Sequence, residues 1–455
     1  MTTTQRSIGS PTHCRCWRIS KVQMIRLEML SENGEVVPLF YDQHTSRLLD
    51  KDGFKAVDYT NNPMYDPEPS QRRPFIAVDY DQPGRKVREV RKLKIQLGLG
   101  CNKSCSYCLQ AIQVQKAAAT STRDASEFLA NIDGWIVNPE GIEKVELWGG
   151  EPLLYWKKIE ILAPALIAKF PNAQFSIITN GELLTREIVD QLEAWNFSLT
   201  ISHDGPGQAV RGDDPFEDPH KFAMIQYAQK TFHPRFSFNA VLTPKSHDVN
   251  AIIDWFHDYF PGCNVGFEGV VHSYASDPAS IFSIEQLAQF SDTLSRQLAD
   301  GSALRSPAIM DKLRRSVNSF VNEQSSETLF QKCGMDMPEY LAVDLKGNVM
   351  TCQNVGANGN HKIGHVSDFE NIALNTSKHW SKRPECQSCP VLQLCQGACM
   401  YQGGDNWTHS CNAEFFYNLA FFRAALFILT GRWLVGFSGD IVRPKLKQDR
   451  DVEVR

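Results

Sequence analysis

One short loop carries three cysteines, Cys101, Cys105 and Cys108, spaced as Cys-x3-Cys-x2-Cys. Three thiolates on such a loop can bind three irons of a [4Fe–4S] cluster, because cysteine is the usual ligand of these clusters. The fourth iron then stays open to an exogenous ligand. A structural zinc site is the alternative, but it needs a fourth ligand and none stands nearby. This cysteine triplet therefore indicates a catalytic iron–sulfur cluster with one open iron.

Further residues along the chain extend the pattern. Tyr107 precedes the third cysteine, and Gly149-Gly150-Glu151 follows a second short β-rich run. Together with the triplet, which directly follows a first β-rich run, these residues resemble the radical S-adenosyl-L-methionine (SAM) superfamily. In that superfamily the amino and carboxylate groups of SAM bind the open iron, and an electron from the cluster cleaves SAM to methionine and a 5′-deoxyadenosyl radical. The resemblance implies that the triplet is the catalytic cluster site.

The same resemblance implies which residues contact SAM: Tyr107, Gly149, Gly150, Glu151, Thr179, Asn180, Ser202, Asp204 and Arg211. Glu151 would pair with the ammonium group of SAM, and Ser202 would contact its ribose. Arg211 would bind the carboxylate, because a guanidinium grips a carboxylate bidentately. A salt bridge in the Asp213-Asp214 loop is the other interpretation of Arg211. His203 departs from the family, which often has an apolar residue there, and is either a packed histidine or a substrate contact.

Seven more cysteines lie in the C-terminal third, with Gly347 between the first two: Cys333, Cys352, Cys386, Cys389, Cys395, Cys399 and Cys411. Their spacing resembles the SPASM extension of peptide-modifying radical SAM enzymes, which usually holds two auxiliary [4Fe–4S] clusters. The resemblance implies that the second auxiliary cluster binds Cys386, Cys389, Cys395 and Cys411. The first would bind Cys333, Cys352 and Cys399, with an open iron or a non-cysteine ligand. A zinc ribbon is the alternative, but it would leave three cysteines unexplained. Three [4Fe–4S] clusters are thus expected in all.

The elements that must position these residues alternate along the chain. From Lys92 to about Val271, six β-rich runs alternate with amphipathic helical patterns, which predicts right-handed βαβ units in a parallel sheet or partial barrel. In such folds the catalytic residues lie at the carboxyl ends of the strands, and the main motifs of this sequence fall at those ends. Two further strands are predicted upstream, Ile25–Met29 and Glu35–Tyr41. The expected fold class is α/β: a partial (β/α)6 radical SAM barrel with a C-terminal cysteine-rich SPASM domain and a small N-terminal β-containing region.

These patterns divide the chain into four parts. They are an N-terminal region that is a candidate module for binding substrate or leader peptide (1–91), the partial barrel (92–324), the SPASM domain (325–420), and a C-terminal helix and tail (421–455). Polar and charged residues interrupt the apolar run Phe415–Phe437, whereas a membrane-spanning helix needs about 20 mostly apolar residues. We therefore expect a helix packed on the core and no membrane span.

Composition narrows the class of protein. The formal net charge is −5, which gives no reason to expect nucleic-acid binding. The first 24 residues contain no apolar signal segment, so we expect a cytoplasmic protein. In that reducing compartment, 13 cysteines indicate metal binding or catalysis. Cys14, Cys16 and Cys263 remain without an assigned role.

Three functions are compatible with these motifs. The first is oxidative crosslinking of a ribosomally synthesised peptide, with flavodoxin or ferredoxin as electron donor. The second is sulfatase maturation to formylglycine, but that subfamily has an aspartate base after the second cysteine of this domain. Here Gln353 follows Cys352, and an amide cannot accept the proton. The third is a non-catalytic iron–sulfur electron-transfer or scaffold protein, which would not need the SAM-binding motifs. The sequence favours the peptide-modifying enzyme.

Overall fold

The N-terminal region forms a small antiparallel sheet. The computed structural model describes residues 24–57, 73–111, 113, 121–269, 276–439 and 441–443. Its first strands are β1 (Ile25–Leu30), β2 (Val36–Asp42) and β3 (Arg47–Leu49), and the short β4 (Gly84–Arg85) follows. The turn between β1 and β2 contains Gly34 at φ +83°, where glycine adopts the left-handed conformation without strain. The two strands predicted near the N-terminus are therefore confirmed. Cys14 and Cys16 lie outside the described residues.

Six parallel strands form the centre of the molecule, as predicted. They are β5 (Lys92–Gln96), β6 (Lys144–Trp148), β7 (Gln174–Thr179), β8 (Ser198–Ser202), β9 (Phe236–Val241) and β10 (Asn264–Glu268). The helices between them are α1 (Arg123–Asn131), α2 (Trp156–Lys169), α3 (Arg186–Ala194), α4 (Pro219–Phe232) and α5 (Val249–Tyr259). Spatial order follows chain order from β5 to β10, and each neighbouring pair is parallel. The carboxyl ends of all six strands consequently meet at one edge.

The sheet continues into the cysteine-rich region. After α6 (Ile284–Ala299) and α7 (Pro307–Val321), the chain forms β11 (Tyr340–Asp344), β12 (Asn348–Met350), β13 (Lys362–His365) and β14 (Ala373–Leu374). Strand β11 pairs in parallel with β5, and β12 and β13 add antiparallel strands beyond it, so the sheet has nine strands. Strand β14 pairs with β4. Backbone hydrogen bonds therefore join the barrel to the region expected to be the SPASM domain.

The last elements among the described residues are a long helix and a returning strand. Two short helices, α8 (Pro384–Gln387) and α9 (Leu392–Cys395), precede α10 (Gly404–Thr430) and β15 (Trp433–Ser438). The predicted boundary between residues 420 and 421 falls inside α10. The expectation of helix as far as Phe437 is wrong beyond Thr430, because Gly431 ends the helix at φ +65° and β15 then pairs with β1.

Helix α10 belongs to the protein core. Among the described residues it is the one helix long and apolar enough to cross a membrane, but 72% of its most apolar window is buried inside the protein. It packs against α6 and α7. Its polar residue Asn418 is fully buried and donates a hydrogen bond of 2.9 Å to Glu414 Oε2. These contacts indicate a core helix, in agreement with the sequence prediction.

Alternating side chains of the barrel strands fill the main core. Ile95, Leu147, Ile177 and Ile201 are each at most 1% exposed and pack with apolar residues of the surrounding helices. Burial of one such side chain stabilises the fold by roughly 1.5–3 kcal/mol. Rigid strands of this kind can hold the loops at their carboxyl ends in fixed positions.

Candidate active site

A cavity of about 290 Å³ lies at the carboxyl ends of the barrel strands. We call it the triplet cavity, because all three triplet cysteines line it. Of the residues expected to bind SAM, those lining it are Tyr107, Gly149, Gly150, Glu151, Thr179, Asn180, Ser202 and Arg211. Asp204 does not line the cavity; it contacts Tyr107 and Arg211, which do. The structure thus brings together residues that follow four different strands.

The two glycines after β6 allow this loop to pack against the cysteine loop. A Cβ on Gly150 would lie 2.4 Å from the carbonyl oxygen of Gly100, and one on Gly149 would lie 2.9 Å from that of Gly98. The close approach lets Gly150 N donate to Gly98 O at 3.1 Å. Any larger residue would separate the two backbones. The glycines therefore fix the position of the triplet relative to the sheet.

Glu151 is buried, with 1% of its surface exposed. Its carboxylate accepts hydrogen bonds from Leu153 N at 3.0 Å, Thr179 Oγ1 at 2.6 Å and Asn180 N at 2.8 Å. Burial raises the pKa of Glu151, and these three donors oppose the shift. Thr179 and Asn180 consequently hold Glu151 in place at the cavity wall, where its remaining lone pairs can accept from a cation.

Tyr107, Asp204 and Arg211 form a buried polar triad. The Tyr107 hydroxyl donates to Asp204 Oδ2 at 2.5 Å and accepts from Arg211 Nη1 at 2.8 Å. Asp204 Oδ1 also accepts from Val241 N at 3.0 Å and so ties the triad to β9. Although burial opposes the charge, Tyr107 and Asp204 raise the pKa of Arg211. Arg211 Nε is buried without a hydrogen-bond partner among the described residues. An orphaned guanidinium donor beside the cavity suits a carboxylate ligand.

The structure resolves the two interpretations of His203 in favour of packing. Its ring is fully buried and packs against two other rings, that of Phe216, with ring centroids 4.2 Å apart, and that of Trp255, with centroids 5.3 Å apart. Nδ1 accepts from Gly205 N at 3.0 Å, and Nε2 lies 2.9 Å from Asp214 Oδ1. Burial lowers the pKa of His203. The packed ring and its hydrogen bonds therefore stabilise the loop that carries Arg211.

The ten cysteines expected to bind clusters fall into three electrostatic groups. The first is the triplet, in which charge on Cys105 or Cys108 raises the pKa of Cys101. Within the second, burial raises the pKa of Cys352 and of Cys399; Cys399 and Cys333 add to the rise for Cys352, and Cys333 adds to it for Cys399. The third comprises Cys386, Cys389, Cys395 and Cys411. These are the three sets that the sequence analysis expects to bind clusters, and the binding itself stays a prediction.

Burial raises the pKa of all ten thiols. It raises the pKa of Cys101 to about 11, and that of Cys399 and Cys411 to about 12. All described cysteines are free of disulfides. Within the part of the chain that the structure describes, no three His, Cys, Asp or Glu side chains are close enough to hold one metal ion.

A second cavity of about 420 Å³ adjoins the first. It is lined by Cys333, Cys352 and Cys399, and we call it the auxiliary chamber. The two cavities share five lining residues: Leu109, Glu268, Gly269, Gln353 and Asn354. A molecule in the chamber can therefore contact both the triplet cavity and the second cysteine group.

Sequence reasoning missed some residues at this junction. Glu268 ends β10 and lines both cavities. The position of Glu268 at the end of the sixth strand was a signal that could have identified it. Lys312 and Arg315 of α7 also line the chamber and carry no recognisable motif.

Comparisons with known proteins agree with this geometry. Residues 95–250 match the sequence model of the Radical SAM superfamily. This match confirms the radical SAM domain that the triplet and the strand-end motifs predict. The matched range begins inside β5, extends past β9 and includes the triplet.

Individual relatives are distant. TigE of Paramaledivibacter caminithermalis, a radical SAM cyclopropyl synthase, is 21% identical over 347 residues, which are 69% of this chain and 68% of TigE. A GTP 3′,8-cyclase of Mycobacterium ulcerans is 31% identical over 134 residues, 28% of this chain and 37% of the cyclase. The solved structure of anSMEcpe with bound AdoMet and Cp18Cys peptide has a TM-score of 0.53 at 17% identity and covers 74% of this chain and 97% of that chain. At such identity the structural likeness shows the fold alone.

Proposed function

We propose that this protein is a radical SAM enzyme that oxidatively modifies a ribosomally synthesised peptide by forming a crosslink. The triplet holds the catalytic [4Fe–4S] cluster, and the two C-terminal cysteine groups hold two auxiliary clusters in a SPASM domain. The observation that carries this proposal is the junction of the triplet cavity with the auxiliary chamber. A substrate placed at that junction lies between two redox groups.

The residues of the triplet cavity divide the binding of SAM between them. When bound and reduced, the catalytic cluster supplies the electron that cleaves SAM to methionine and a 5′-deoxyadenosyl radical. Arg211 binds the SAM carboxylate through its orphaned donor, and Glu151 accepts from the SAM ammonium group. Ser202, at the end of β8, contacts the ribose. The remaining wall residues exclude water from the reactive carbon.

Two observations support a peptide as the substrate. The auxiliary chamber is large enough, at about 420 Å³, to admit side chains of a peptide segment. The anSMEcpe structure, which shares the fold, was solved with both AdoMet and a peptide. Two auxiliary clusters give a route for the electron that an oxidative crosslink releases, and flavodoxin or ferredoxin supplies the electron that starts the reaction.

Sulfatase maturation remains the second candidate, and Gln353 argues against it. Gln353 lies at the junction of the two cavities, where that reaction would place a carboxylate base. Its amide oxygen cannot accept a proton at neutral pH.

The test is anaerobic co-expression with each short peptide encoded beside the gene, followed by mass spectrometry. Loss of two hydrogen masses from one peptide establishes the peptide-modifying function, and fragmentation locates the crosslink. The matched control is the variant with Cys101, Cys105 and Cys108 all replaced by alanine, which should leave every peptide unchanged. Unmodified peptides in both strains, with SAM cleavage intact in the wild type, would contradict the assignment.

A further inference from the structure

One wall of the auxiliary chamber is basic. Lys312 and Arg315 lie three residues apart on α7, which places them on the same face of the helix, and both line the chamber. Lys312 is 8% exposed, whereas Arg315 is exposed. The wall thus presents one shielded ammonium group and one accessible guanidinium to the chamber.

A third cation of the chamber, Lys332, is already neutralised. Its Nζ lies 2.5 Å from Glu414 Oε1, and the other oxygen of Glu414 accepts from Asn418 at 2.9 Å. Among the described residues, no carboxylate oxygen lies within 4 Å of the charged nitrogens of Lys312 or Arg315. Glu414 therefore pairs directly with Lys332 and acts on Lys312 only at longer range.

The contacts of the Lys312 ammonium group are with aromatic rings. Its Nζ lies 4.5 Å from the ring centroid of Tyr417 and 5.2 Å from that of Phe421. Such contacts stabilise a cation weakly compared with a buried carboxylate. Burial and the Lys332 charge lower the pKa of Lys312 to about 7. A carboxylate in the chamber would stabilise the charged form of Lys312.

We infer that Lys312 and Arg315 bind the carboxylate of an acidic residue in the peptide substrate. This inference rests on the proposed function and names the class of substrate: a peptide with Asp or Glu close to the modified residue. The guanidinium of Arg315 grips the carboxylate in its plane, and the ammonium group of Lys312 adds a point charge. An amide side chain (Asn or Gln) in the same place would leave the charges of Lys312 and Arg315 unneutralised. The site therefore selects Asp or Glu over Asn or Gln.

The competing explanation is that the two cations balance the thiolates of the second cysteine group. The chamber contains Cys333, Cys352 and Cys399, whose bound cluster would carry negative charge. Under that explanation, removal of either cation should disturb the auxiliary cluster. Under the proposal, it should disturb ligand binding alone. The iron content and the electron paramagnetic resonance (EPR) spectrum of the auxiliary clusters separate the two.

The experiment compares two probes on the reconstituted holoenzyme with SAM. They are the N-trifluoroacetyl, C-amidated tripeptides Gly-Glu-Gly and Gly-Gln-Gly, with binding followed by fluorine NMR. The proteins are the wild type, Lys312→Met, Arg315→Gln and the control Arg314→Gln. Arg314 is on the same helix but pairs with Asp311 at 2.9 Å and does not line the chamber.

We expect the wild type and Arg314→Gln to bind the acidic probe at least about tenfold more tightly than the amide probe, since hydrogen bonds to charged groups contribute about 1.5–3 kcal/mol. Lys312→Met and Arg315→Gln should lose that preference and keep the iron content and EPR spectrum of the wild type. Equal affinity of the wild type for both probes, including no binding of either, overturns the inference. So does an altered auxiliary-cluster spectrum in both chamber variants. SAM cleavage is measured separately on the same proteins. Failure of the proposed radical SAM function can therefore be distinguished from failure of the inference about the carboxylate.

Discussion

The contact between Gly150 and the cysteine loop allows a quantitative prediction for Gly150→Ala. The added Cβ would lie 2.4 Å from Gly100 O and 2.8 Å from Gly100 C. Both are backbone atoms, so no side-chain rotation relieves the overlap and one loop must move. Overpacking of this kind costs about 1–3 kcal/mol. Movement also weakens two backbone hydrogen bonds, Gly150 N to Gly98 O at 3.1 Å and Glu151 N to Gly100 O at 2.8 Å.

Each of these hydrogen bonds contributes about 1 kcal/mol net. The total cost to the native arrangement of the loops is then about 2–5 kcal/mol, or at least about 30-fold in the equilibrium constant. We therefore expect Gly150→Ala to lose the cluster bound by the triplet while the auxiliary sites keep theirs. Iron per chain after anaerobic reconstitution should fall to the value of the variant with all three triplet cysteines replaced by alanine.

The matched control for this prediction is Gly134→Ala. A Cβ on Gly134 would meet no atom within 4 Å, so iron content and SAM cleavage should equal those of the wild type. Wild-type iron content and cleavage in Gly150→Ala would refute the argument that the glycine positions the triplet. Loss of iron in both Gly150→Ala and Gly134→Ala would indicate general instability, and it would also refute the argument that Gly150 positions the triplet.

Three further substitutions test the polar contacts of the site. Glu151→Gln places an amide against backbone N–H donors and should lower the free energy of unfolding by about 1–3 kcal/mol, measured by chemical denaturation; an unchanged value contradicts the assigned hydrogen bonds. Tyr107→Phe removes the hydroxyl between Asp204 and Arg211, so SAM affinity should fall about tenfold by calorimetry, and an unchanged affinity would mean that Arg211 needs no positioning. The pKa of His203 is lowered in the folded chain, so the unfolded chain binds more protons and stability is lost as pH falls below about 6.5. His203→Asn should reduce that loss between about pH 7.5 and 5.5 by up to about 1.4 kcal/mol, and an unaltered pH dependence of unfolding contradicts the buried neutral ring.

Local sequence patterns predicted the barrel and placed the candidate site residues at the carboxyl ends of its strands. Strands such as β5 and β6 are short runs in which apolar and polar residues alternate, and parallel strands place their carboxyl ends at one edge. Cys101, Gly150 and Ser202 could therefore be assigned to a common site from their positions after strands. The division of the seven C-terminal cysteines into two ligand sets was implied by the resemblance to the SPASM extension and stays a prediction.

Other features depend on contacts between distant segments, which local patterns do not encode. The pairing of β11 with β5 joins residues about 250 positions apart in the chain, and β15 returns to pair with β1. The Tyr107–Asp204–Arg211 triad and the basic wall of Lys312 and Arg315 arise from side-chain directions in the folded molecule. In the same way, the helix expected to reach Phe437 ends at Thr430 because Gly431 adopts a left-handed conformation and β1 offers a strand edge.

The most direct test of the account is the formation of 5′-deoxyadenosine by the purified, anaerobically reconstituted enzyme with SAM and dithionite. The wild type should release 5′-deoxyadenosine and methionine, and Cys101→Ala, Cys105→Ala and Cys108→Ala should each abolish the product. Cys263→Ala is the matched control, because Cys263 is a buried cysteine that does not line the triplet cavity. Product formation by any of the three triplet variants, or no product from a wild type that carries its iron, would contradict the assignment of this site.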